Sequence, residues 1–480
     1  MQEDHTVTVE EAVQVLAMVG DLSMGQPTDQ SIRAALLAER LALADGAEAG
    51  GCAHVRLVTL LRWSGCTANA SGFSTLLGDD VGGRDAMLTH TLPPNNRMTF
   101  TSVAPLARIH CEVSSAIAQA MALPPEVDIG LQRVWEHYDG GGMPERLTDP
   151  HIPRLVYYTN LASDLDILTR AHGMEVALRM IAERADRKYP AELVRLLAAN
   201  AQAWLEAVEA PPCPAEIPAL AEHVSLTIVA DMIELKLPWL LGYSRRVADL
   251  AEHAAVLAGL AAAQQRCLGR AALIHGIGRA AVPNAVWQRS GKLGTADWEK
   301  VRLVPYWTAR AGIQIPSLRA EATLASHVYE RLDGSGYYRE LDAESLSMPQ
   351  RILAAAAAYA ALRMPRPWRA ACTAPESAQV LAAEAAAGRF DVQAVKLVVA
   401  AADGAGTASV EPAVPRRKLL SERETAVLRR LSLGESNKEV ARELQISPST
   451  VRTHVESIFR KLECSTRTAA TLKGLTLGFI

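Results

Sequence analysis

A chain of 480 residues, 49% hydrophobic and 21% charged, can bury two to four cores of its own, which excludes a disordered chain and a small disulfide-stapled one. A net charge of −4 excludes a polycation that coats nucleic acid along its whole length. The charge is unevenly shared. Residues 416–480 hold thirteen Lys and Arg against seven Asp and Glu, a net +6, which leaves −10 for the remainder. A basic end on an acidic body predicts one polyanion-binding module at the C-terminus. The seven cysteines are scattered and never form CxxC, a pattern expected in a reducing cytoplasm and not in a structural zinc site. The opening MQEDHTVTVEE lacks the apolar stretch of a signal peptide, and the apolar runs at 227–241 and 354–362 are too short to span a bilayer. A cytoplasmic protein without membrane contact is the expectation.

The first 402 residues repeat themselves. Asp21 and Gln30-Ser31-Ile32-Arg33 match Glu234 and Tyr243-Ser244-Arg245-Arg246 at an offset of 213. The same offset pairs Leu60-Leu61-Arg62-Trp63-Ser64-Gly65 with Leu273-Ile274-His275-Gly276-Ile277-Gly278. Later, Glu136-His137-Tyr138-Asp139-Gly140-Gly141-Gly142 matches Glu330-Arg331-Leu332-Asp333-Gly334-Ser335-Gly336 at an offset of 194. Three anchors in the same order indicate a duplication, with repeats at 1–205 and 206–402. Ala/Leu-rich periods at 34–43, 246–260 and 377–387 predict helices in both copies. Glycine clusters mark turns, and Asp139 and Asp333 stand where an aspartate caps one. Residues 403–417, DGAGTASVEPAVPRR, have two glycines, two prolines and no apolar period, so they read as a linker.

Beyond it, residues 418–480 predict four helices. Ser421 with Glu424 and Ser436 with Glu439 have capping-box spacing. Ser447 followed by Pro448 is a hydroxyl N-cap with proline where a missing N–H costs nothing. Val451, Val455, Ile458 and Leu462 then form an apolar seam. Opposite it lie Ser449, Arg452, Thr453, Glu456 and Arg460. Two short helices joined by a tight turn, the second with a hydroxyl-rich start, suit a DNA major groove.

Two family resemblances follow from these residues. The stretch AALIHGIGRAAVPNAVWQRSGKLGTADWEKVRLVP, with HVYERLDGSGY and PQRILAAAAAYAALRMPRPWR, resembles the HD-GYP branch of the HD phosphohydrolases over residues 224–402. Members of that family are helical and cleave phosphodiesters, notably cyclic di-GMP, with clustered metal ions. This chain departs from the pattern at the ligand positions. His275 is followed by Gly276 in place of aspartate, and the lysine of that motif is Arg279. Tyr243, Val304, Val328, Tyr329 and Ala357 stand where further His or Asp ligands are expected. The first copy has Gln30, Arg62-Trp63, Val134-Trp135 and Asn160 at such places. One histidine cannot hold a binuclear centre, so no metal, no cofactor and no catalytic residue are expected. His327, near the lost pair, does not make up the deficit. Asp139 and Asp333 remain as turn caps. The aromatics Trp63, Trp135, Tyr243 and Tyr329 are expected to fill the old cavity, with stacking on a small-molecule effector as the alternative.

Residues 420–480 resemble the LuxR-type helix-turn-helix domain, and with the two degenerate HD-like repeats the layout is similar to actinobacterial regulators. The resulting expectation is an all-α, non-enzymatic transcriptional regulator: two tandem HD-like helical domains, then a four-helix module that binds double-stranded DNA as a homodimer. Asn437, Lys438, Ser447, Thr450 and Lys461 are candidates for phosphate contact, Arg452 and Thr453 for base edges, and Ser449 is a further residue of the DNA face; Glu456 either reads a cytosine amino group or leans away from the duplex. Helix packing is a second role open to Lys461. The competing readings are a cyclic-dinucleotide phosphodiesterase with a DNA-binding tail, and an assembly platform without a ligand.

Overall fold

The computed structural model describes residues 5–96, 98–209, 223–405 and 419–480. It is all-α, as the composition and periodicity predict; strand is confined, among the described residues, to Thr6–Thr8 and His223–Ser225. The chain forms two compact units, Thr8–Val224 and Ser225–Ile480, the second completed by residues 5–7. That boundary lies beyond the one expected at 205, because helix Ala191–Glu209 belongs to the first core through Leu193, Leu197, Ala201 and Val208. In the second unit Leu226 N donates to His5 O at 2.8 Å, and Arg270 Nη1 donates to Thr6 O at 2.7 Å. The joining of His5 and Thr6 to the second unit leaves no signature in hydrophobic period.

The first unit is built on helices Gln30–Ala44, Ala49–Leu61 and Arg154–His172. The second has their counterparts in Tyr243–Leu257, Ala262–Ile274 and Met348–Leu362. The predicted helices at 34–43, 246–260 and 377–387 lie within or largely within Gln30–Ala44, Tyr243–Leu257 and Ala374–Ala386. Local geometry repeats with the sequence. Both oxygens of Glu136 accept backbone N–H groups, from Glu145 and Leu147. Glu330 does the same with Arg339 and Leu341. Asp139 Oδ1 accepts from Gly141 N at 2.7 Å and Asp333 Oδ1 from Ser335 N at 3.0 Å, the turn-capping role expected of them. A Cβ on Gly142 would lie 2.3 Å from His137 N, and one on Gly336 would lie 2.4 Å from Arg331 N, so only glycine fits at either place.

Helix Val392–Ala405 extends three residues into the stretch expected to be linker, and residues 406–418 lie outside the described ones. The C-terminal module comprises helices Glu422–Ser432, Asn437–Glu443, Pro448–Lys461 and Arg467–Thr476. Both predicted capping boxes form, and Ser447 Oγ accepts from Thr450 N at 3.0 Å. Each such cap contributes about 1 kcal/mol. The seam residues Val451, Val455, Ile458 and Leu462 are buried against Val427, Leu428, Leu431, Val440 and Ala441.

Candidate functional site

The recognition-type helix Pro448–Lys461 buries its seam and leaves the opposite side in solvent. Ser449, Thr450, Arg452, Thr453 and Glu456 are all exposed there. Ser447 Oγ lies 2.6 Å from Ser449 Oγ and 2.8 Å from Thr450 Oγ1, a hydroxyl cluster at a helix start where phosphate oxygens are attracted. Arg452 Nε donates to Glu456 Oε1 at 2.9 Å, with side chains 77% and 64% exposed. Such an i,i+4 pair is worth only about 0.3–0.5 kcal/mol, so either partner can be released to another ligand.

Lys438 is exposed, but two other expected phosphate contacts are tied to the module itself. Asn437 Oδ1 accepts from Arg467 Nη2 at 2.7 Å, and the same guanidinium donates to Glu435 O at 2.9 Å. Arg467 thus fastens the fourth helix to the start of the second, a role that no sequence pattern singled out. Lys461 Nζ lies 2.7 Å from Glu424 Oε2, whose side chain is only 6% exposed. Burial raises the Glu424 pKa. The Lys461 ammonium, the Ser421 N–H and the Ser457 hydroxyl outweigh it and hold the carboxyl down at about 2. Of the two roles open to Lys461, the geometry favours bracing the recognition helix.

In the repeats, one buried guanidinium, Arg62, stands at a position where the resembled family has a ligand, and another, Arg279, stands at the lysine position of the motif. Arg62 is buried at 2% exposure. It donates from Nε to Ser163 Oγ at 3.2 Å, from Nη1 to Ser31 Oγ at 3.1 Å and to Thr59 O, and from Nη2 to Gln30 Oε1. Asp21 sits below it, accepting from Ser31 N at 3.1 Å, and burial pushes its pKa up to about 7 against the pull of Arg62. Trp63 is buried, with Arg62 Cζ 3.8 Å from its ring centroid.

In the second repeat His275 caps helix Ala262–Ile274 and is fully buried. Its Nδ1 donates to Ala272 O, and Arg279 Nη2 donates to its Nε2 at 3.1 Å. The ring is therefore neutral, and burial, reinforced by the Arg279 charge, presses its pKa to about 3. The lone pair a metal would need is already engaged by an arginine. Tyr243 donates to Ala357 O at 2.9 Å, and Tyr329 Oη accepts from Arg279 at 2.8 Å. His327 Nδ1 donates to Thr323 O at 2.6 Å. Among the described residues, no three His, Cys, Asp or Glu side chains converge as metal ligands. A binuclear metal centre does not fit these residues.

One histidine escaped the sequence reading. A Cβ on Gly65 would strike His110 O, just as one on Gly278 would strike Val304 O. His110 is thus the counterpart of Val304, at the same offset of 194 that aligns the glycine turns. It is fully buried beside Cys66 and Trp135, and burial presses its pKa to about 3. Applying that offset backwards from Val304 would have found it.

Comparisons with known proteins identify both parts of the chain. Residues 227–394 match the model of the HD domain, and residues 418–473 that of the bacterial regulatory proteins of the luxR family. The 3'3'-cGAMP-specific phosphodiesterase 3 of Vibrio cholerae is 25% identical over 76% of this chain and 89% of its own length. The cyclic di-GMP phosphodiesterase response regulator RpfG of Xanthomonas campestris is 29% identical over 32% of this chain and 41% of its own. A crystal structure of a V. cholerae cyclic GMP-AMP specific phosphodiesterase superposes with a TM-score of 0.59 at 21% identity, covering 83% of this chain and 98% of that one. Likeness at that level establishes the fold. No helix among the described residues is long and apolar enough to cross a membrane. The chain therefore combines an HD domain at residues 227–394 with a LuxR-family helix-turn-helix domain at residues 418–473.

Proposed function

We propose that the protein is a cytoplasmic transcriptional regulator that binds duplex DNA through residues 418–473 and whose HD-like repeats sense or scaffold without hydrolysing anything. The observation that carries this reading is the buried arginine at each repeat centre, Arg62 at an expected ligand position in one and Arg279 engaging the His275 lone pair in the other. A guanidinium there supplies the positive charge a metal would bring, but it cannot acidify a water. On the DNA face, Arg452 and Thr453 address base edges, with Glu456 holding Arg452 until the groove replaces it. Ser447, Ser449, Thr450 and Lys438 address phosphates, and Asn437 and Lys461 set the pose of the helices that do so. The protein acts as a dimer, because one such helix buries too little surface for tight specific binding.

Genome-wide mapping of bound DNA tests the regulator, with recovery of a pseudo-palindromic site expected. The names of the relatives support a second reading, a metal-dependent phosphodiesterase acting on a cyclic dinucleotide. Stoichiometric iron, manganese or zinc in the purified protein, together with turnover of cyclic GMP-AMP or cyclic di-GMP, would establish it and overturn the first.

A further inference from the structure

The two repeat centres differ in what their arginines have left to bind. In the first, Arg62 spends its donors on Gln30, Ser31, Ser163 and Thr59 O, and the Asp21 and Asp166 carboxyls act on its charge. Its hydrogen-bonding capacity is nearly exhausted. In the second, Arg279 is only 5% exposed, and its Nη1 is buried without a hydrogen-bond partner. A buried, unpartnered N–H on a charged group is costly unless something outside the chain satisfies it.

A second guanidinium lies close by. Arg279 Cζ is 4.9 Å from the Tyr243 ring centroid, and Arg366 Cζ is 5.6 Å from the same point and 4.7 Å from the Trp239 ring centroid. Among the described residues neither arginine is hydrogen-bonded to a carboxylate. The nearby carboxyl of Glu234 accepts from Ser244 N at 2.6 Å instead. Burial first, and then the charges of Arg279 and Arg369, press the Arg366 pKa to about 10. Two cations that repel each other, one with an open donor, define a place for an anion. The wall beside them is aromatic. Trp239 Nε1 is also buried without a partner, and Trp368, 46% exposed, meets the Trp239 ring edge-on at 5.9 Å.

We propose that the second repeat binds a small molecule that carries one phosphate or carboxylate together with a flat ring, the oxyanion held by Arg279 and Arg366 and the ring by Trp239 and Trp368. The inference rests on the non-hydrolytic reading above and gives its sensor a ligand class. The first repeat, with Arg62 saturated, takes no part.

Isothermal titration of the full chain with guanosine 5'-monophosphate, salicylate, guanosine and inorganic phosphate tests this. One equivalent of the monophosphate or of salicylate is expected to bind, and which of them does so identifies the oxyanion; guanosine, without the oxyanion, is expected not to bind, and inorganic phosphate, without the ring, to bind more weakly than the monophosphate. Arg366→Gln and Arg279→Gln should each weaken binding by about tenfold or more, and Arg452→Ala on the DNA face should leave it unchanged. Arg366 is half-buried, so its variant carries the test if Arg279→Gln fails to fold. The proposal is overturned if neither anion binds at millimolar concentration, if Arg366→Gln binds like the parent, or if Arg452→Ala abolishes binding. Cyclic-dinucleotide turnover by the same preparation would overturn the non-hydrolytic reading instead, and the titrations would report on the anion site regardless.

Discussion

Replacing Glu234 by glutamine should make the second unit more stable at pH 8 and change it little at pH 5. Glu234 is fully buried. Its Oε1 accepts from Ser244 N at 2.6 Å, while its Oε2 has no partner. Burial raises its pKa from the ordinary 4.5 to about 7, with Asp231 adding to the rise and the Ser244 contacts and Arg279 opposing it. Between pH 4.5 and 7 the folded carboxyl therefore keeps a proton that the unfolded chain has lost. Stability from this group is fully present below pH 4.5 and disappears as the pH climbs through 7. A shift of this size corresponds to roughly 3 kcal/mol at pH 8, and full burial leaves no solvent to screen it. The buried His275 opposes this in the parent protein. Its folded pKa of about 3 means that the unfolded chain takes up a proton below pH 6.5, which removes stability as the pH falls. These two groups pull in opposite directions in the parent, and the difference between variant and parent isolates the carboxyl. Glutamine preserves the acceptor to Ser244 and carries no charge at any pH. Urea denaturation of both proteins at pH 5, 6, 7 and 8 should show the variant ahead by up to about 3 kcal/mol at pH 8, shrinking to within about 1 kcal/mol at pH 5. A gap independent of pH, or a parent that is the more stable at pH 8, would refute the reasoning. Asp21 occupies the equivalent place in the first unit with a pKa also near 7, so Asp21→Asn should repeat the result in that unit's transition.

Other expectations can be checked more briefly. Arg452→Ala should weaken binding to the mapped DNA site by roughly 1–3 kcal/mol and relax preference at one base pair, while Glu456→Gln should tighten binding by freeing the arginine; electrophoretic mobility shifts at fixed salt measure both. Lys461→Ala strands the buried Glu424 carboxylate, so it should destabilise the C-terminal module by about 2 kcal/mol or more in denaturation, with a salt slope of DNA binding changed by less than that of Lys438→Ala. Gly336→Ala forces a methyl within 2.4 Å of backbone at Glu330 and Arg331, so soluble expression and the cooperative thermal transition should both be lost.

Much of the architecture could be read from order and period alone. The capping boxes at Ser421 and Ser436, the apolar seam from Val451 to Leu462 and the helical periods are local matters of hydrogen bonding and hydrophobic spacing, so linear sequence expresses them. The duplication was equally legible, because its anchors are rigid turns in which Gly142 and Gly336 admit no substitute. What no linear pattern could decide is where a side chain spends its hydrogen bonds. Lys461 and Asn437 look like free surface donors and acceptors until Glu424 and Arg467 arrive from other helices. Arg62 and Arg279 both stand at the repeat centres, yet one is saturated and the other keeps an open N–H. That difference depends on groups brought together across a hundred or more residues, such as Ser163 against Arg62 and Arg366 against Tyr243. Burial strengthens each such interaction, which is why the packed interior, and not the order of residues, determines the chemistry available at these centres.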